Sequence, residues 1–144
     1  MPAPVTSPTV DALVQLSFAV HLALTRIAGQ FDLSVTQLRL LGILRDRTPS
    51  MAAIADFLEL DRSSISGLVD RAERRGLVAR RASTVDARVI LVEATPEGLA
   101  VGAQIAQGVS SALEQLIGDA TPADIDAVVR LAASLQARAD RDMT

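Results

Sequence analysis

Between Asp61 and Arg88 a single glycine divides two different backbone patterns, and this limits the folds open to the chain more than any other feature. Before Gly76, the residues Ile65, Leu68, Val69 and Ala72 recur at i, i+3, i+4 and i+7, the spacing of one apolar helical stripe laid against a core. Asp61 suits the N-cap of that helix, and Arg74 and Arg75 suit the negative end of its dipole. Gly76 supplies a left-handed stop. After it, Leu77 to Arg81 reads as a short strand and Ser83 to Asp86 as a turn. Arg88 to Ala94 then reads as a second strand, rich in Val, Ile and Leu.

The same stretch holds the charge. All 14 basic residues of the chain are arginine, and seven lie here: Arg62, Arg71, Arg74, Arg75, Arg80, Arg81 and Arg88. Against the acids Asp61, Asp70, Glu73 and Asp86 they leave the segment at +3, while the whole chain is at −3 and the remainder at −6. An acidic protein with one basic segment meets a polyanion in one place. On the helix, Ser63, Gly67, Asp70 and Arg74 lie about half a turn from the apolar stripe, with Ser66 and Arg71 on the flanks. Gly67 is the odd residue, since a mid-helix glycine costs roughly 1 kcal/mol relative to alanine. Its outward position suggests a close approach to the backbone, and a major groove fits, because it admits a helix and rewards short polar side chains near the helix N-terminus. The bland alternative is a core-packing helix with a solvated arginine face.

A hairpin directly after a basic helix is a winged helix-turn-helix arrangement. Asp86 and Arg88 fall at its tip, on one side of a strand by the period-two rule. A carboxylate there can orient the guanidinium through charge-assisted hydrogen bonds. An arginine on a projecting tip suits a narrow, electronegative minor groove. Taken alone, D-x-R is a weak motif, and most such pairs are surface ion pairs of little energetic worth.

Upstream, residues 1 to 8 read as a frayed arm, followed by a long helix from Thr9 or Val10 to about Gln30, with Thr9 as its cap and Gly29 to Asp32 as its break. Leu13, Leu16, Val20, Leu24 and Ile27 mark one apolar side of it, and Val14, Phe18 and Leu22 a second, so it requires more than one partner. Ser34 and Gln37 form a capping-box pattern that opens a second helix through about Arg45, with Leu38, Leu41 and Leu44 as core positions. After Thr48-Pro49-Ser50 a short third helix (MAAIADFLEL) leads into the basic one, which is helix-turn-helix spacing. Past the hairpin, Thr95 caps and Pro96 opens a helix to about Ile117. A last helix, capped by Thr121, runs from about Ala123 to Ala139. The first helix is either a central core helix of one chain or buried in a dimer. Packing the first and last two helices together and against a second copy, in a twofold dimer, satisfies all three and is the expectation.

Composition excludes several chemistries. With no Cys and one His there is no metal cluster, no disulfide and no cysteine-based sensing, and with no Lys there is no Schiff base. The glycines are scattered, so no phosphate loop forms. The expectation is no enzyme, no cofactor and no metal. Hydrophobic residues at 49% suffice for a core, but at 2% aromatics it must be filled by aliphatic side chains. MPAPVTSPT lacks the basic and apolar regions of a signal peptide. No stretch is expected to approach the roughly 20 apolar residues of a membrane span. The reading is a soluble cytoplasmic protein with no membrane partner.

The run from Leu60 to Gly98 resembles the signature region of MarR-type transcriptional regulators. It holds Ser63-Ser64-Ile65-Ser66, Arg74-Arg75-Gly76-Leu77, Asp86-Ala87-Arg88 and Thr95-Pro96-Glu97-Gly98 in that order. Two residues depart from the pattern: Gly67 replaces a longer DNA-facing side chain, and Ala72 a larger apolar one. The resemblance implies a mainly α fold of one domain, residues 1–144. A winged-helix lobe would occupy 34–95, and a helical dimerisation region 9–32 and 96–141. It implies a homodimeric, sequence-specific double-stranded-DNA-binding regulator, most often a repressor, on a pseudo-palindromic operator. Arg62, Ser63, Ser64, Ser66 and Arg74 would face the major groove and its phosphates, Arg81 a phosphate, and Arg88, steadied by Asp86, the minor groove. A small lipophilic or phenolic effector would bind between dimerisation helices and DNA-binding lobe, with Phe18 and His21 as candidate contacts. A rival from another class is a winged-helix protein-interaction module without DNA binding, favoured by Gly67 and the overall acidity.

Overall fold

The computed structural model describes residues 7–142. They form α1 (Pro8–Gln30), α2 (Val35–Leu44), α3 (Met51–Leu58), α4 (Arg62–Arg74), β1 (Val78–Ala82), β2 (Ile90–Ala94), α5 (Pro96–Ile117) and α6 (Pro122–Asp142). This is the mainly α winged-helix order expected. The chain divides between Ala112 and Leu113 into two compact units.

Local rules account for most boundaries. Ser34 and Gln37 make a reciprocal capping box at α2, with Ser34 Oγ accepting from Gln37 N at 3.1 Å and Gln37 Oε1 from Ser34 N at 2.9 Å. Ser50 caps α3 and Asp61 caps α4 in the same way, each satisfying a backbone N–H that the first turn leaves open. The first helix begins earlier than expected. Its cap is Ser7, not Thr9, because Pro8 has no N–H to satisfy and fits the first helical position. Most of the expected frayed arm, residues 1–6, lies outside the described residues. The helix also runs through Gly29 to Gln30, and the chain turns at Asp32 with φ 54°.

The first unit has one aliphatic core, centred on the fully buried Leu40, Ile54, Ile65, Val69, Val78 and Val92. Each of α2, α3, α4, β1 and β2 supplies at least one of these, so the wing is anchored by the same side chains as the helices. On α2 the core face is broader than Leu38, Leu41 and Leu44: Leu40 is completely buried while Leu38 is only partly so. The reason is that α2 is packed by α1, α3 and β2 at once, which no single-stripe pattern records. The wing strands are antiparallel with Val78 opposite Ala94 and Ala82 opposite Ile90. A bridge from Ser50 to Leu91, with Val92 N donating to Pro49 O at 2.9 Å, ties the wing to the turn before α3.

The end of α4, the wing and the start of α5 meet at Leu77. Its N–H donates to Ala72 O and its carbonyl accepts from Thr95 N, both at 3.0 Å. Thr95 Oγ1 donates to Gly76 O at 2.6 Å and accepts from Gly98 N at 3.0 Å, capping α5. Gly98 then lies so close that a β-carbon on it would be 1.9 Å from the Leu77 carbonyl oxygen.

The second unit is described alone. Gly118, at φ 54°, ends α5, and Thr121 and Asp124 exchange hydrogen bonds at the start of α6. That helix extends past the expected Ala139 to Asp142, and its Ile125, Val128, Val129, Leu131 and Leu135 are exposed. In the first unit the apolar side chains Val10, Leu13, Val14, Leu16, Phe18 and Leu22 of α1 are exposed too. By length and composition α1 is also long and apolar enough to cross a membrane, which corrects the expectation that no stretch approaches that limit.

Two substitutions should move stability in opposite directions, read as urea midpoints. Gly98→Ala drives a methyl into rigid backbone and should cost at least about 2 kcal/mol. Glu59, which closes α3 at φ 53°, holds a left-handed conformation that penalises a β-carbon, so Glu59→Gly should stabilise by about 1 kcal/mol.

Candidate nucleic-acid interface

The basic stretch sorts into arginines that serve the fold and arginines that face solvent. Arg75 donates to the carbonyls of Asp32 and Phe31 at 2.7 and 2.8 Å, clasping the end of α1. Arg80, whose side chain is only 25% exposed, meets Asp70 at 2.6 Å and Glu73 at 3.1 Å, and reaches Ser66 O at 3.5 Å. Its backbone N–H also donates to Glu73, so β1 is braced along the outer side of α4. Arg81 pairs with Glu93 across the wing at 3.1 Å.

Arg62, Arg71 and Arg74 are exposed on α4 and make no ion pair among the described residues. Because Arg80 engages both Asp70 and Glu73, and Asp61 is occupied at the cap, Arg62, Arg71 and Arg74 are left without an acid partner on α4. Of the serines singled out in the sequence, Ser64 and Ser66 are exposed. Ser63 spends its hydroxyl proton on the cap, donating to Asp61 Oδ1 at 2.8 Å. The Ser64 N–H, followed by the hydroxyls of Ser63 and Ser64, holds the Asp61 carboxyl below its usual range, so the cap is ionised at neutral pH.

At the wing tip, Asp86 and Arg88 are joined, but not by the strand alternation expected. Both lie in the turn between β1 and β2, whose strands end at Ala82 and restart at Ile90. Ser83 Oγ accepts from Val85 N at 3.2 Å and from Asp86 N at 3.4 Å. The Asp86 carboxylate accepts from Arg88 N, Nε and Nη2 at 3.0, 3.1 and 3.2 Å. A turn brings i and i+2 together as readily as a strand does, and lets the backbone N–H join the clamp. The Arg88 side chain is 91% exposed, so it is held in orientation rather than buried. Its guanidinium, then its N–H, lower the Asp86 carboxyl. The clamp is therefore fully charged above the ordinary carboxylate range and is lost only as pH falls through that lowered value.

An open cleft of about 410 Å³ joins the two elements, lined by Arg62 and Ile65 of α4, by Arg88 of the wing, and by Ser50 and Met51. Arg62 and Arg88 are 26 positions apart, and no sequence signal places them together. A second cleft of about 200 Å³ lies between α2 and α5, lined by apolar residues including Leu38, Leu41, Leu99 and Val109, with Arg45 beside them. Phe18, 71% exposed, and His21, also exposed, line neither of these clefts. Arg71, which lies outside the set of candidate DNA contacts, folds back over the helix. A β-carbon on Gly67 would come within 3.1 Å of its Nη1. The glycine four residues earlier was the available signal.

Residues 31–89, which span α2 through the wing tip, match the model of the MarR family. No curated protein matches the chain. Among solved structures it is similar to BpsR of Bordetella bronchiseptica, a study of the regulation of DNA binding by 6-hydroxynicotinic acid (21% identity, 94% of this chain and 98% of that one, TM-score 0.79). It is similar also to a mutant MarR from E. coli complexed with operator DNA (20% identity, 89% and 93% covered, TM-score 0.75). A third is a MarR-family transcriptional regulator from Silicibacter pomeroyi (20% identity, 91% and 89% covered, TM-score 0.75). Over residues 31–89 the sequence is thus similar to the MarR family, and the whole chain shares the winged helix-turn-helix fold of these solved structures.

Proposed function

We propose that the protein is a sequence-specific double-stranded-DNA-binding transcriptional regulator, a homodimeric repressor released by a small lipophilic or phenolic ligand. The observation that carries this reading is the sorting of charge. Arg62, Arg74 and Arg88 stay exposed on the helix and wing while Arg75 and Arg80 are spent on holding the two in place. Arg62, Ser63, Ser64, Ser66 and Arg74 face the major groove and its phosphates, and Arg88, oriented by Asp86, enters the minor groove. Arg81, shared with Glu93, is the weakest member of the set. That an E. coli relative of this fold is solved in complex with operator DNA supports the reading.

The exposed apolar residues of α1 and α6 support the dimer, since a second copy removes them from water. This use of α1 also accounts for its hydropathy without a membrane, and accords with work in the cytoplasm. With recognition helices placed for half-sites roughly 34–36 Å apart, a small change in their separation breaks register. The ligand-regulated relative supports an effector of this kind. Phe18 and His21 become part of a closed site only when another surface covers α1, which the partner protomer provides. The rival reading, a protein-interaction module, predicts no affinity for duplex DNA.

Electrophoretic shifts on the protein's own upstream DNA, titrated with salt, test this. Binding should weaken steeply with salt. Arg88→Ala should lower affinity roughly 10-fold and make the salt slope shallower by about one per protomer. Arg81→Ala should do less. Unchanged binding in Arg88→Ala would remove the wing from the interface.

A further inference from the structure

We infer that Arg71 reads a guanine in the major groove, and that Gly67 is the positioning residue that puts it there. The inference rests on the DNA-binding reading and names a base-reading contact within it. In an α-helix the Cα–Cβ bonds tilt toward the N-terminus, so a long side chain at 71 runs over position 67. A side chain at 67 would press on that ground, a β-carbon by a few tenths of an ångström and a longer chain outright, and only glycine leaves it wholly open. The Arg71 guanidinium uses the opening, lying so that a methyl group on residue 67 would be 3.1 Å from Nη1. Gly67 is half-buried in consequence, although it lies on the outward face, away from Ile65, Leu68 and Val69.

The neighbouring charges leave Arg71 free for a ligand. Asp70, the adjacent acid, is engaged by Arg80 at 2.6 Å, and Glu73 by Arg80 at 3.1 Å. Arg71 itself has no ion pair among the described residues and is exposed. Folding back along the helix moves its charge from the flank toward the middle of the outward row formed by Ser63, Gly67 and Arg74. That is the part of a recognition helix that meets base edges. Among those edges, the pair of acceptors that a planar, two-pronged donor matches is guanine O6 and N7. A destabilising glycine in mid-helix is thereby explained by what it allows the residue one turn later to reach.

Site selection from a randomised duplex pool, repeated with each full-length variant, tests the inference. The wild-type protein should enrich a guanine at symmetric positions within the recognition-helix contacts. Arg71→Ala should lose that preference, with roughly 10- to 100-fold weaker binding to the wild-type site. Arg71→Lys, which keeps the charge but not the fork, should lose it as well. Gly67→Ala should displace the guanidinium and relax the same position while leaving Tm unchanged or raised, because alanine is the better helix former. In an Arg71→Ala background Gly67→Ala should have no further effect on binding. A retained guanine in Arg71→Ala, rescue by Arg71→Lys with only a shallower salt slope in Arg71→Ala, or additive effects of the two substitutions would each overturn the assignment and leave DNA binding intact. A wild-type protein that selects no duplex at all would overturn both.

Discussion

The lobe is organised by the close approach of two backbones, at Leu77 and Gly98. Leu77 is where α4 stops and the wing begins, and its carbonyl receives the N–H of Thr95, where the wing ends and α5 begins. Gly98 has no side chain because the Leu77 carbonyl occupies the space one would need. Thr95 adds a hydroxyl that both caps α5 and holds the carbonyl of Gly76. Four segments thus share one small volume, and the direction in which the wing leaves α4 is set there. The Thr-x-x-Gly pattern, read along the chain as a helix start, is a packing requirement between elements far apart in order.

With that junction in place, the arginines divide. Three of the seven in the basic stretch are used as struts or cross-strand pairs: Arg75 to the end of α1, Arg80 to the outer side of α4, and Arg81 to Glu93. Counting charge along the sequence treats all seven alike. What reaches a polyanion is the part left after internal pairing, and internal pairing also removes the acids. The net result is a helix whose acids Asp70 and Glu73 are drawn toward Arg80 of β1, while Arg62, Arg71 and Arg74 keep their charge toward solvent. At the wing tip the same chemistry does something else: Asp86 leaves Arg88 almost wholly exposed but gives it a direction.

The apolar surface of α1 and α6 poses the complementary question. Phe18 at 71% exposure and Val129 at 62% are far from what one chain in water favours. The lobe is complete by itself; these helices are not.

Much of this was legible in order along the chain. Capping at Ser34, Ser50, Asp61, Thr95 and Thr121 depends on residues within three positions of one another, as does the left-handed stop at Gly76, so helix order and the wing followed from local chemistry. The misses were equally physical. The Ser7 cap depends on Pro8 taking the first helical position, where Thr9 is the nearer cap-type residue, and the burial of Leu40 comes from partners on several sides that no local pattern records. The spacing of Asp86 and Arg88 fits a strand or a turn equally, and it is a turn that joins them. What the amino-acid order determined by itself was the succession of helices and hairpin, because these rest on hydrogen bonds and periodicities spanning a few residues. What only the tertiary structure decided was which guanidinium groups stay available, since Arg75 finds its carbonyls more than 40 positions away and Arg62 and Arg88 share a cleft only after the wing has folded back over α4.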